Sequence, residues 1–332
     1  MKNILYLFAL ILCACSTSDN RILVKNSGEA QGSYYHIQYL SENGENYKSQ
    51  IDSILLEVDS SLSIYKDYSL ISKLNKGENV KIDTLFNAVF LGAEKVFQES
   101  EGNFDCSVSP LVNAWGFYKN KLGDTLVIDS LKFRKILPYV GFDKISLFAD
   151  SLVLPKGMSL DFNSIAQGYT VDVIAQFLLS KGDSNYLVEV GGELLANGRN
   201  TDGNIWRVGV DKPSEDIDRQ ERFQFILDLE DKALATSGNY RKFYEKDGVK
   251  YAHTINPFTG FPAQNRLLSV TVIHNNCMLA DAYATAFMVM GVKKSKQFAK
   301  THPEIEIYLV YTGKDGAWKT YISPSMQKRI FN

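Results

Sequence analysis

Apolar residues recur along this chain at two spacings, helical and strand-like, and the two do not alternate in a regular order. Ile51, Ile54, Leu55 and Val58 repeat at helical spacing, as do Leu85, Val89, Ala93 and Val96, with Gly102 near the end of the second helix. A third helix is predicted over roughly 164–180, with Asn163 or Ser164 as N-cap and Gly182 past its end. Strand-like runs lie at 32–40, 186–190, 206–210, 223–229, 267–273 and 306–311. Residues 279–290 read as a helix stopped by Gly291, and 294–300 as a short one after it. No βαβ rhythm and no 20–50-residue repeat is visible. The expected class is therefore α+β, a single domain with a mixed or antiparallel sheet and packed helices.

Composition narrows the function classes. The chain has 332 residues, 45% hydrophobic and 22% charged, enough to bury a sizeable core. A net charge of −2 argues against a broad nucleic-acid-binding surface, and no nucleic-acid partner is expected. At the N-terminus Lys2 precedes an apolar run, 4–12, that is too short to span a bilayer and reads as a secretory signal. The sequence Leu12-Cys13-Ala14-Cys15 resembles a bacterial lipobox, which implies lipid on Cys15. The expected organisation is a lipoprotein signal peptide over 1–14, a lipidated tether over 15–23 and the folded domain over 24–332. Cys106 and Cys277 then remain. Secretion permits a disulfide between them, but two buried thiols is the simpler reading. No cysteine or histidine spacing points to zinc.

Five segments gather residues that carry chemistry. Ser63-Ile-Tyr65-Lys-Asp67-Tyr68-Ser69 clusters polar groups between apolar elements. Gly102-Asn103-Phe104-Asp105 leads to Trp115-Gly-Phe117, although such aromatics serve a core equally well. Asp161-Phe-Asn163-Ser-Ile-Ala166-Gln167-Gly168-Tyr169 runs from a strand end into a helix start, where exposed amides favour an anion. Val190-Gly191-Gly192-Glu193 and Ala235-Thr236-Ser237-Gly238 bring flexible backbone and small hydroxyls. Finally, His253-Thr-Ile255-Asn256-Pro257 precedes Asp281 and Thr285, which lie four apart on a helix and share one face. A carboxylate with a hydroxyl is a hard donor pair that suits Mg²⁺ and suits zinc poorly. An ordinary helix with an exposed Thr has the same two residues.

Taken in order, these segments resemble the ApbE family of FAD:protein FMN transferases, periplasmic and often lipid-anchored enzymes. The resemblance runs from about Gly32 to Gly291. It implies that FAD, as substrate, is cut at its pyrophosphate, that FMN passes to a Thr or Ser hydroxyl of a client protein, and that AMP leaves. It implies Mg²⁺ held by Asp281, Thr285 and the Ala166 carbonyl. FAD contacts are implied for Tyr65, Asn103, Phe104, Asp105, Asn163, Tyr169 and Ile255. His253 is the candidate base, with Asp281 the other catalytic residue. The implied client is a subunit of a membrane electron-transport complex. The implied location is the bacterial cell membrane, lipid-anchored on the periplasmic side, the inner membrane rather than the outer.

The chain departs from the family pattern at several positions. Gln31 replaces a usual Met, Gln167 a frequent Lys, Asn256 an Asp and Phe258 an Arg. Ala284 lacks a carboxylate that some members carry. Two alternatives stay open: a periplasmic FAD pyrophosphatase in which water attacks, and a flavin-binding lipoprotein without catalysis.

Overall fold

The computed structural model describes residues 21–118, 130–148, 150–213, 222–239, 243–246 and 249–331. The expected signal peptide, Cys15 with most of the tether, Tyr240 and most of the polar segment 212–220 lie outside the described residues.

The chain opens with a hairpin of β1 (Ile22–Ala30) and β2 (Ser33–Ser41), so strand structure begins two residues before the expected domain start. Helices α1 (Lys48–Leu62), α2 (Leu70–Asn75), α3 (Thr84–Glu99), α4 (Ser109–Trp115) and α5 (Ser130–Ile136) follow. The short hairpin β3 (Ser146–Phe148) and β4 (Ser151–Val153) leads into α6 (Ala166–Ser180). Seven strands come next: β5 (Tyr186–Val190), β6 (Glu193–Asn197), β7 (Trp206–Asp211), β8 (Phe223–Leu229), β9 (Lys232–Gly238), β10 (Phe243–Lys246) and β11 (Val249–Ala252). Then β12 (Leu267–His274), the long helix α7 (Cys277–Thr301), β13 (Glu306–Thr312), β14 (Trp318–Ile322) and α8 (Pro324–Gln327) complete the chain.

Eight strands form one sheet in the order β1-β2-β5-β6-β9-β12-β13-β14. Every neighbouring pair in it is antiparallel, so the fold is α+β as expected. One face of the sheet carries α6 and α7, with α1 and α3 packed against them. The other face is covered by the β7–β8 hairpin and Met326 of α8, through Trp206, Val208, Leu227 and Leu229 packed on Leu194, Leu234, Ile273 and Tyr308. A satellite core of Leu111, Trp115, Phe133, Val140 and Ile255 joins α4 and α5 to the segment after β11.

The centre of the molecule is the first half of α7. Cys277, Ala280, Ala282, Tyr283, Ala284, Ala286, Phe287 and Met288 are all buried there, because this stretch lies between the sheet and the other helices. At Gly291 the backbone leaves helical geometry, with φ 73° and ψ 172°. The Asn265 amide donates to the Met288 carbonyl at 2.7 Å, satisfying a group next to the break. Beyond the break a second helical segment runs on to Thr301, as the stop at Gly291 and the separate helix after it predicted.

The predicted N-cap of α6 is not observed. Its cap position is Ile165, with φ −153° and no side-chain cap, while Asn163 and Ser164 lie in the preceding turn. The first turn is served instead from another helix: the Gly168 N–H donates to Asp281 Oδ2 at 3.2 Å. The service is reciprocal. Asp172 of α6 accepts from the Cys277 and Met278 amides at 2.9 and 2.8 Å, and Asn276 Oδ1 accepts from Leu279 N at 2.9 Å. Each helix thus supplies a carboxylate to the other's N-terminal amides, where orphan donors and the helix dipole favour negative charge. Cys106 and Cys277 are both buried free thiols.

Candidate functional site

Asp281 and Thr285 stand one turn apart on α7. Asp281 is 6% exposed, and its contact with Gly168 ties it to the start of α6. Gly168 has no alternative at this crossing: a Cβ there would lie 2.4 Å from the Cys277 carbonyl oxygen and 2.9 Å from Asp281 Cβ. Ala166 is the first residue of α6, two residues from that contact, and its carbonyl accepts from Thr170 Oγ1 at 2.7 Å. Thr285 is half-buried and its hydroxyl lies 3.3 Å from Ser237 Oγ on β9. The α6 start, α7 and the end of β9 therefore converge.

A second carboxylate enters from β6. Glu193 is 8% exposed, and its Oε2 is buried with no hydrogen-bond partner. Burial, followed by the charge of Asp281, holds its carboxyl far above the ordinary carboxylate range. Burial also raises Asp281, offset in part by the Gly168 amide. The strand turn before Glu193 is close-packed: Gly191 has φ 71°, and a Cβ on it would meet the Gln167 amide nitrogen at 2.3 Å.

A neighbouring group surrounds Asp161. Its Oδ2 accepts from the Tyr118 hydroxyl at 2.6 Å, and its Oδ1 from the Asn163 amide at 2.8 Å. Asn163 is exposed, and its Nδ2 lies 3.3 Å from the Tyr65 hydroxyl. Tyr65 is 65% exposed and meets Tyr118 edge-on, with ring centroids 6.4 Å apart. Burial and the Asp161 charge raise the Tyr118 phenol well above its usual range. An open aromatic and amide surface thus lies beside α6. Tyr118 was not among the residues singled out from sequence, although it follows Trp115-Gly-Phe117 directly.

The other predicted contacts occupy varied positions. Phe104 is 1% exposed and part of the main core. Asp105 commits both oxygens within the fold, accepting from Ser107 N and Oγ at 2.7 and 2.6 Å and from Phe142 N at 3.2 Å. Asn103 is buried, its amide donating to Ser100 O at 2.7 Å. These three shape the loop after α3. Tyr169 is half-buried against the main core, and Ile255 is buried in the satellite core. Trp115 is fully buried, stacked on Phe133 at 4.3 Å, and its Nε1 donates to Gly260 O at 2.9 Å.

That last bond holds the segment bearing His253. His253 is half-buried just after β11, and the next residue, Thr254, donates to Asn239 Oδ1 at 3.2 Å. Asn239 is two residues past Ser237, so the segment adjoins the same end of β9. Asn256 Oδ1 accepts from Phe258 N and Thr259 N at 2.9 and 3.2 Å, a turn that an Asp oxygen would close equally well. Phe258 is exposed, and a Cβ on Gly102 would lie 3.3 Å from its ring.

Among the described residues there is no group of three or more His, Cys, Asp and Glu placed to hold a metal. The oxygen donors here are the Asp281 carboxylate and Thr285 hydroxyl on one face of α7 and the Ala166 carbonyl at the α6 start that Asp281 meets, while the buried Glu193 Oε2 lacks a partner. Such hard oxygens fit Mg²⁺, which takes few protein ligands and completes its shell with water and phosphate. They do not fit a soft metal.

With the geometry in place, comparison with known proteins is direct. The ApbE family model matches residues 31–309. The chain is 35% identical over 337 residues to the FAD:protein FMN transferase of Vibrio cholerae, covering 98% of each. It is 32% identical over 324 residues to the Haemophilus influenzae protein of the same name, covering 93% of this chain and 91% of the relative. Its structure is similar to that of the flavin transferase ApbE from Vibrio cholerae, with TM-score 0.83, 34% identity, and 93% and 99% of the two chains covered. The apo form of the Pseudomonas stutzeri flavinyl transferase ApbE gives TM-score 0.82 at 30% identity, covering 93% and 97%. By sequence and by fold over nearly its whole length, this chain belongs to the ApbE family.

Proposed function

We propose that the chain transfers FMN from FAD to a Thr or Ser hydroxyl of a client protein and releases AMP. Family membership makes it a transferase of the flavin class. The observation that carries the finer reading is the placement of Asp281 and Thr285. One helix presents a carboxylate and a hydroxyl a turn apart, the first tied to the α6 start and the second to β9.

Cleaving a diphosphate asks a protein mainly to position groups and neutralise charge. Asp281, Thr285 and the Ala166 carbonyl would hold Mg²⁺, which supplies charge neutralisation to the phosphate oxygens when bound. Tyr65 and Asn163 offer the exposed face on which a flat, polar ligand can rest. The client hydroxyl oxygen bonds to the phosphorus of the FMN half, and the bond from that phosphorus to the AMP oxygen breaks. His253 accepts the hydroxyl proton on an imidazole nitrogen, since an ordinary imidazole is largely neutral at pH 7.

The reading includes a location. A lipid on Cys15 would hold the domain at the periplasmic side of the cell membrane, the inner one rather than the outer. The client is then a subunit of a membrane electron-transport complex. Among the described residues no helix is long and apolar enough to cross a membrane.

The test is incubation with FAD, Mg²⁺ and a candidate client, followed by mass spectrometry of the client. An FMN adduct with stoichiometric AMP is expected, and Asp281→Ala should abolish it while circular dichroism stays unchanged. His253→Ala should slow adduct formation more than it weakens FAD binding. Free FMN and AMP without an adduct would assign the chain to hydrolysis instead.

A further inference from the structure

We infer that Glu193 is an additional residue of the divalent-cation site, presenting its unpartnered carboxylate oxygen to the cation that Asp281 and Thr285 hold. The inference rests on the metal-dependent reading above and adds a residue to it that neither the resemblance nor the converging helix pair names.

Buried carboxylate oxygens are nearly always hydrogen-bonded, and leaving one unmatched carries a desolvation cost. Glu193 violates that rule, being 8% exposed with Oε2 lacking any partner. Its backbone place is well determined. Glu193 opens β6, pairs with Val190 across a two-glycine turn and bridges to Gly191, which packs on the Gln167 side chain of α6. The next residue, Leu194, accepts at its carbonyl from Cys277 Sγ at 3.6 Å, one helical turn before Asp281. Alternation along the strand puts Glu193 on the same face as Leu195, which packs against the core containing Cys277, Val171 and Ile174. The carboxylate is therefore directed at the layer holding Asp281, away from the β7–β8 side.

Chemistry also explains why the pair exists. Two carboxylates facing each other in a buried place repel, and each is costly without a counter-charge. Asp281 is the sole acidic residue of α7, so the helix alone offers a divalent ion one negative charge. Glu193 supplies a second from the neighbouring strand. A hard oxygen from each, with Thr285 and the Ala166 carbonyl, makes an all-oxygen donor set of the kind Mg²⁺ and Mn²⁺ take.

The experiment measures Mn²⁺ binding to the full, flavin-free chain by loss of the free-ion electron paramagnetic resonance signal, alongside melting temperature with and without Mg²⁺. Glu193→Gln keeps the shape and removes the charge. Its Mn²⁺ dissociation constant should rise tenfold or more, and the Mg²⁺-induced rise in melting temperature should shrink. Without metal, the variant should melt no lower than the wild type, because an oxygen that has no partner loses no bond when the carboxyl becomes an amide. Wild-type Mn²⁺ affinity in Glu193→Gln, or a lower metal-free melting temperature, would overturn the inference. Asp281→Ala separates the two levels. If it abolishes Mn²⁺ binding while Glu193→Gln does not, only the role of Glu193 fails. If it also binds normally, the metal-site reading itself fails.

Discussion

Asp172 combines two opposing demands in one carboxyl group. It is 8% exposed, and burial pushes its carboxyl up to about 6, against the pull of the Met278 and Cys277 amides and the Asn276 side chain. The folded chain therefore holds a proton there that the unfolded chain has already lost between about pH 4 and 6. In that window the folded state binds more protons, so this group's contribution to stability falls as pH rises. The swing is on the order of 2–3 kcal/mol. Urea denaturation at steps from pH 4 to 7 should show the wild type losing stability relative to Asp172→Asn across the window. Parallel curves would mean that Asp172 does not titrate as its burial requires. Its role as a cap for a helix 105 positions away is not legible in the sequence.

The crossing of α6 and α7 shows where sequence reasoning at the level of elements succeeds and where it stops. Both helices were legible from period and from their stops at Gly182 and Gly291, because an apolar face repeats along a helix whatever it packs against. The strands β6 and β9 were not, although both are central in the sheet. Lys232-Ala-Leu-Ala-Thr-Ser-Gly has few β-branched residues, since small side chains are what allow α7 to lie against that strand. The N-cap of α6 was misplaced for a related reason: its capping carboxylate comes from 113 residues further on. Within the candidate site, Asp281 and Thr285 were legible as a helical pair, whereas Tyr118 and Glu193 gain meaning only from their neighbours in space. The close approach itself makes a prediction. Gly168→Ala would place a methyl 2.4 Å from the Cys277 carbonyl oxygen, a backbone atom that cannot swing aside. It should cost roughly 1–3 kcal/mol or more, seen as a lower urea midpoint. An unchanged midpoint would show that the helices can separate freely.

At the scale of the whole molecule, the sheet sets β1 at one edge and β14 at the other. Ile22, which opens β1, therefore lies at a sheet edge. The lipid anchor proposed on Cys15 is tested at this scale. Cys15→Ser should abolish incorporation of labelled palmitate and move the protein from the membrane pellet to the soluble fraction, with flavin transfer in solution unchanged. Retention in the pellet would point to another mode of attachment.

The reciprocal capping of α6 and α7 also governs the order in which the molecule can be built. The two helices are separated in the chain by β5 to β12, four of which form the middle of the sheet. Contacts of such long range repay their loop-closure entropy only after the intervening strands have paired. A nascent or partly unfolded chain thus holds Ala166 and Asp281 on separate pieces, with no place to gather a cation or a nucleotide. Competence of the proposed site for ligand therefore depends on long-range pairing across the sheet, which no local fragment of the chain supplies.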